Sequence, residues 1–308
     1  MLTNATPNIS CANDVIDTHF TTETIGKWSE AGEADKLPKQ ALIRPRPYLL
    51  SMLLFCTRLR RLFRLALHLA RGTYAVSWHL PRLNDDERVD YIHHWSKQLL
   101  KLLQIQVQVH GMSPGVYPAN HVLLANHISW LDIFVLNAVT VSQFVAKSEI
   151  RSWPVVGKLC CGARTLFIER DRRRDTARVN GAIFQSLLRG DCVAIFPEGT
   201  TSDGTNILPF RSSLLQAAVD AEATIQPVYL RYTNGKGRRC RAAAYVDEMS
   251  FGESLWRVLG HQGLTVELSF LAPLPAAESD RRSLTQHVHT RIQAAHQAFE
   301  TSSSAQHA

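Results

Sequence analysis

The stretch Val122-Leu123-Leu124-Ala125-Asn126-His127-Ile128-Ser129-Trp130-Leu131-Asp132 changes character halfway along. Its apolar start reads as a strand, Asn126 ends it, and Ser129 is placed to cap a helix from Trp130 onward. Similar short apolar runs fall at 105–109, 144–146, 165–168, 192–196, 227–230, 242–246 and 264–270. Helical patterns separate several of them, at 133–139, at 176–188 with Asp175 as cap and Gly190 as stop, and at 213–221. Strands alternating with helices predict a single α/β domain, with a mixed, largely parallel sheet flanked by helices.

Composition narrows the classes. A chain of 308 residues with 45% hydrophobic content is ample for a buried core. Its net charge is +7, although the first 40 residues are acidic, so the body is basic and suits an anionic partner. No nucleic-acid-binding motif accompanies that charge, which leaves a membrane surface or a phosphorylated ligand. The six cysteines show no Cys-x-x-Cys spacing, against a zinc site or disulfide scaffold and in keeping with a reducing compartment. The N-terminus lacks the basic start and apolar stretch of a secretory signal.

Four regions follow. Residues 1–46 lack apolar periodicity and read as a mobile tail, 47–82 as a basic amphipathic membrane-associating segment, 83–300 as the α/β domain and 301–308 as a frayed end. Within 47–82, Arg58, Arg61, Arg64, His68 and Arg71 recur at spacings of three or four and read as one helical stripe opposite leucines. A spanning helix needs about 20 apolar residues with few charges, and this segment fails that test. A helix lying in the bilayer interface fits instead, with Arg58, Arg61, Arg64 and Arg71 on the phosphates of anionic lipids. A surface helix packing its leucines on the core is the plainer alternative. Beyond it, Asn84 with Glu87 three residues on reads as a capping box opening a second helix, and 279–300 reads as a packed C-terminal helix.

His127 and Asp132 are the first candidates for chemistry. Five residues of regular helix turn through about 500°, leaving the two side chains about 140° apart. They meet only if His127 sits in the loop before the helix that carries Asp132. There the carboxylate accepts from one ring nitrogen and holds the other toward substrate, the orienting role such a group plays for a general base. In a chain with 13 histidines such a pair is also common as plain surface decoration. No third ligand follows at a metal-like spacing.

A second signature follows at Phe196-Pro197-Glu198-Gly199-Thr200-Thr201-Ser202, after the buried run 192–196. Loops at the carboxyl ends of strands in open α/β sheets are where ligands collect. Gly199 permits close backbone approach, and the three hydroxyls after it are polar ligands; by itself this is a polar loop, and an ordinary turn with an exposed Glu198 reads equally well. Between the signatures, Arg170 stands at a strand end and suits a phosphate, whereas Arg172 to Arg174 read as a solvated basic face.

The ordered set is more specific than its parts. Asn-His-x-x-x-x-Asp at 126–132, Gly-x-x-x-x-Phe-Ile-x-Arg at 162–170, Phe-Pro-Glu-Gly-Thr at 196–200 and an apolar-x-Pro-Val stretch at 225–228 resemble the 1-acyl-sn-glycerol-3-phosphate acyltransferase family of glycerolipid acyltransferases. The resemblance spans about residues 85–275. It implies that His127 deprotonates an acceptor hydroxyl, that Asp132 orients it, and that the oxygen attacks an acyl-CoA or acyl-carrier-protein thioester without a covalent acyl-enzyme. A missing Gly-x-Ser-x-Gly elbow agrees with this. It also implies no cofactor beyond the donor, a lysolipid acceptor that becomes phosphatidate, and acceptor-binding positions at Arg170, Glu198, Gly199 and Thr200. Because thioester donors are cytosolic, it places the protein on the cytoplasmic face of the inner membrane.

One departure stands out. Family members acting on lysophosphatidate commonly carry Arg where this chain has Thr201, which removes a bidentate phosphate partner. The continuation through Asp203-Gly204 and Pro209-Phe210-Arg211-Ser212-Ser213 resembles the branch that acylates lyso-ornithine lipid. Arg211 is a candidate replacement charge, which keeps lysophosphatidate open as the acceptor. Two other classes stay open: a hydrolase in which the same His-Asp pair activates water, and a catalytically silent lipid-binding protein.

Overall fold

Asn84 Oδ1 accepts from the Glu87 amide at 2.9 Å, and the Glu87 carboxylate accepts from the Asn84 amide at 3.0 Å. Two orphan amides are satisfied reciprocally, and helix α2 (Asp85–Leu103) begins where the capping box predicts. The computed structural model describes residues 47–169, 173–246, 248–277 and 279–305. The expected tail over 1–46 lies outside them, as does Arg170.

Strands β1 (Ile105–His110), β2 (His121–Ala125), β3 (Gln143–Lys147), β4 (Leu166–Ile168), β5 (Cys192–Ile195), β6 (Thr224–Thr233), β7 (Leu264–Phe270) and β8 (Leu274–Pro275) form one sheet. Its order is β1-β7-β6-β2-β5-β3-β4, with β8 pairing β6. From β6 to β4 neighbouring strands run parallel, while β7, β1 and β8 run in the opposite direction. The central strands are mostly apolar because both faces are covered. Leu123, Ala125, Ala194, Val228 and Leu230 face α2 and the short α3 (Asp132–Asn137). Val122, Leu124, Val193, Ile195 and Ile225 face α5 (Arg173–Leu188) and α8 (Arg281–Ala305). The mixed α/β domain is as the sequence predicts.

Three local expectations give way. Residues 242–246 form no strand: a 3-10 turn, Arg241–Ala243, leads into extended chain. Tyr245 there donates its amide to Ile128 O at 3.0 Å, so the segment is tied to the His127 loop instead of to a sheet edge. The segment expected to fray from 301 continues α8 as far as Ala305. Helix α3 starts at Asp132, not Trp130, with Ser129 Oγ accepting only from the Leu131 amide at 3.3 Å.

The arginine stripe is also corrected. Helix α1 (Pro47–Trp78) turns Arg61, Leu65, His68, Gly72 and Ala75 toward the protein. Arg61 is 4% exposed and donates to Leu259 O at 2.9 Å and His261 O at 2.8 Å, capping the end of α7 (Phe251–Gly260). Arg58 lies over the Trp256 ring at 5.1 Å. Arg61 is not available to lipid phosphates, while Arg58 remains half-buried. A spacing of three slips backward by about 60° around a helix each time, so the arginines do not share one face. Arg64 and Arg71, seven apart, do share one and are exposed. Beside them the outer surface is apolar: Leu59, Leu62, Phe63, Leu67, Tyr74 and Trp78, with Phe63 72% exposed.

Candidate functional site

Leu124 of β2 is paired with Ile195 of β5. Three residues further along each parallel strand come His127 and Glu198, so the two signatures meet above the centre of the sheet. Asn126 holds the first loop to the neighbouring strand: its amide donates to Leu230 O at 2.9 Å and its carbonyl accepts from the Leu230 amide at 2.8 Å.

The loop folds around one carboxylate. Asp132 is fully buried, and its Oδ2 accepts from His127 Nδ1 at 2.8 Å, the Ile128 amide at 2.7 Å and the Ser129 amide at 2.9 Å. Its Oδ1 accepts from Tyr232 Oη at 2.7 Å. Burial, then the Asp132 charge, hold the Tyr232 hydroxyl well above its ordinary pKa, so it stays a donor. With the proton on Nδ1, the His127 Nε2 lone pair is free to act as a base. The ring stacks on Phe196 at 3.9 Å between centroids and 9° between planes, which fixes its tilt.

The second loop wraps the first. The Ser202 amide donates to His127 O at 2.8 Å, and the Arg211 amide donates to Pro197 O at 2.8 Å, closing the loop on itself. Gly199 (φ 75°) and Gly204 (φ 76°) both occupy the left-handed region that favours glycine. A Cβ at Gly204 would come within 2.9 Å of Ile128 Cδ1, and one at Gly199 within 3.4 Å of Arg211 Nε. The exposed Arg211 guanidinium therefore lies along Gly199, beside the exposed Thr200. Thr201 is committed elsewhere, its hydroxyl donating to Tyr245 O, and Asp203 pairs with Arg241.

Glu198 is not the exposed turn residue of the plainer reading. It is 3% exposed, and the only donors near its carboxyl oxygens among the described residues are the backbone amides of Leu208 and His127, neither in full hydrogen-bond geometry. Burial pushes its pKa up to about 8; the backbone amides of Leu208 and His127 act against the rise and the Asp132 charge adds to it. At neutral pH it is largely a neutral acid, able to donate to a ligand oxygen. Among the described residues no group of three or more His, Cys, Asp or Glu side chains is placed to hold a metal ion.

The structure thus brings His127, Asp132, Glu198, Gly199, Thr200, Thr201 and Arg211 together. Sequence reasoning missed Tyr232, a full 100 residues beyond Asp132, because no local spacing links them. It also read Phe196 only as a strand end.

Fold and site define an α/β enzyme with a carboxylate-oriented histidine at the open end of a parallel sheet. Comparison with known proteins gives its kinship. The Acyltransferase family model matches residues 106–231. The chain is 38% identical over 244 residues to the 1-acyl-sn-glycerol-3-phosphate acyltransferase of Neisseria meningitidis serogroup B, covering 78% of this chain and 93% of that protein. It is 38% identical over 185 residues to the lyso-ornithine lipid O-acyltransferase of Brucella abortus, 56% of this chain and 69% of that one. The crystal structure of the 1-acyl-sn-glycerophosphate acyltransferase from Thermotoga maritima shares the fold, with a TM-score of 0.61 at 20% identity over 81% of this chain and 97% of that chain. The chain belongs to the 1-acyl-sn-glycerol-3-phosphate acyltransferase family, and it is an acyltransferase.

Two outcomes test the geometry. Tyr232→Phe removes one donor from the buried Asp132 carboxylate; it lowers kcat about tenfold, the weight of one hydrogen bond to a charged group, and lowers the melting temperature by several degrees because a buried lone pair is left unmet. Glu198 ties stability to pH. Its pKa is raised from 4.5 to about 8 on folding, so the native state holds a proton the unfolded chain releases, and stability declines between those values as pH rises. Denaturant titrations from pH 4 to 9 show that decline in the native protein and a flatter profile in Glu198→Gln.

Proposed function

We propose that the protein moves a fatty acyl group from an acyl-CoA or acyl-carrier-protein thioester to the free hydroxyl of 1-acyl-sn-glycerol-3-phosphate, making phosphatidate. The observation that carries this reading is the His127–Asp132 pair, with Nδ1 engaged at 2.8 Å and Nε2 free. Nε2 takes the hydroxyl proton as the oxygen attacks the thioester carbonyl. The tetrahedral adduct collapses, the carbon–sulfur bond breaks, and the imidazolium returns its proton to the departing thiolate. Asp132 stabilises that imidazolium and the face of Phe196 lies against it. Glu198 and Arg211 bracket the acceptor loop, one as a neutral donor and the other as the charge for an anionic head group, and Arg170 is a further acceptor position by family resemblance. The thioester is activated enough to need no metal or other cofactor.

Lyso-ornithine lipid is the second acceptor to consider, because Thr201 stands in place of the family's usual Arg and its hydroxyl is occupied by Tyr245 O. Hydrolysis is the weaker alternative, since a lysolipid site gains nothing from water as acceptor. The deciding assay offers radiolabelled acyl-CoA to the purified protein and to His127→Ala, with lysophosphatidate and separately with lyso-ornithine lipid. Diacylated product from the native protein, lost in the variant, is expected. Free fatty acid as the only labelled product sinks the transferase reading.

We further propose that the protein works on a membrane, at its cytoplasmic face, with the outer side of α1 in the interface. No helix among the described residues is long and apolar enough to cross. The exposed Phe63, Leu67, Tyr74 and Trp78 enter the acyl boundary, while Arg64 and Arg71 meet anionic head groups. Phe63→Asp combined with Tyr74→Asp releases the protein from anionic vesicles in a flotation assay, and Arg64→Glu with Arg71→Glu weakens binding in proportion to the anionic lipid content. Undiminished flotation of the first variant rules the docking face out.

A further inference from the structure

Helix α8 buries one side along the sheet through Leu284, Val288 and Ile292, four residues apart. The next position of that stripe is His296, 8% exposed. An aliphatic side chain would continue the packing without the cost of burying an imidazole, so a buried histidine here calls for a reason.

Its two nitrogens give one. His296 Nε2 is 3.1 Å from Thr205 O and Nδ1 is 3.1 Å from Tyr229 Oη. A carbonyl oxygen only accepts, so Nε2 carries the proton and Nδ1 accepts from the tyrosine. Burial and the nearby Arg239 hold the histidine below its ordinary pKa, which keeps the neutral form this pairing needs. Tyr229 is itself pinned by Phe299 of α8, stacked on it at 5.7 Å. One heptad before His296, His289 meets Phe210 edge-on at 4.9 Å between centroids.

Thr205 and Phe210 belong to the loop that carries Glu198, Gly199 and Arg211. Thr205 lies three residues past Ser202, whose amide holds His127 O, and Phe210 adjoins Arg211. The loop is therefore gripped on one side by the His127 loop and on the other by α8, from the opposite face of the sheet.

We propose that His296 is a positioning residue for the lysolipid acceptor: by holding Thr205 O it sets the conformation of the 198–211 loop, with Tyr229 fixing the ring and His289 bracing Phe210. This rests on the acyltransfer reading above. His296 touches no reacting atom and acts through the loop, so the acceptor's affinity depends on it and the chemical step does not.

The test compares native protein with His296→Leu and His296→Gln, by steady-state acyl transfer from acyl-CoA to lysophosphatidate or lyso-ornithine lipid, whichever the native protein uses, and by amide hydrogen exchange. His296→Leu raises the acceptor KM about tenfold with kcat within about twofold and the donor KM unchanged, the size of effect expected for losing one buried hydrogen bond. Gln can still donate to Thr205 O and accept from Tyr229, so it recovers most of the affinity. In His296→Leu, peptides covering 203–211 exchange faster while those of β2 and β5 do not. An unchanged acceptor KM overturns the proposal. So does a fall in kcat accompanied by a comparable rise in both the acceptor and the donor KM, which a general loosening of the site would give. Exchange is read without turnover, so a native protein inactive on every acceptor defeats the acyltransfer reading, while unchanged loop exchange defeats the clasp.

Discussion

The Asp132 carboxylate receives four donors from separate parts of the chain: the His127 ring, two consecutive amides of its own loop, and the Tyr232 hydroxyl of β6. A buried carboxylate is costly unless every lone pair is met, so this set of contacts constrains the architecture around it. The loop after β2 must curl back onto its own helix start, and β6 must lie beside β2, as the pairing of Ala125 with Val228 provides. Asn126 fastens the same two strands one residue earlier than His127. The orientation of the histidine is thus a consequence of satisfying its neighbour.

Glu198 shows the opposite solution a short distance away. Two carboxyl groups share one end of the sheet, one held by four well-formed hydrogen bonds and the other with only two poorly placed amides near it among the described residues. Their environments drive them apart in character, a pattern found where acid and base functions must coexist. Asp132 contributes to that difference directly, since its charge helps raise the pKa of Glu198. An acceptor hydroxyl arriving between His127 and Glu198 would meet a base on one side and a proton donor on the other.

Helix α1 shows how a helix can be found in the sequence while the side it turns to the fold is not. Its basic and apolar content is plain in the sequence, and a membrane-associating helix is a fair inference from it. Which side faces outward depends on what the rest of the fold offers. The carbonyls at the end of α7 accept a guanidinium, so Arg61 turns inward and the bulky apolar residues remain outside. Competition between water and a helix C-terminus decided the matter, and no hydropathy pattern encodes the position of α7.

The order of strands and helices, the capping box at Asn84 and the coming together of His127, Asp132 and Glu198 were legible because each rests on local pattern or on the general rule that loops at carboxyl strand ends gather ligands. The sequence by itself determined the domain class, the family and the identities of the candidate base and its orienting acid. Tertiary structure alone decided the partners that act at a distance: Tyr232 on Asp132, Phe196 against the imidazole, Thr201 on Tyr245 O and His296 on Thr205 O. The physical reason is that hydrogen bonds and ring contacts depend on position in space to within a few tenths of an ångström. Strand adjacency, which joins residues far apart in the chain, sets that position, and spacing along the sequence carries no record of it.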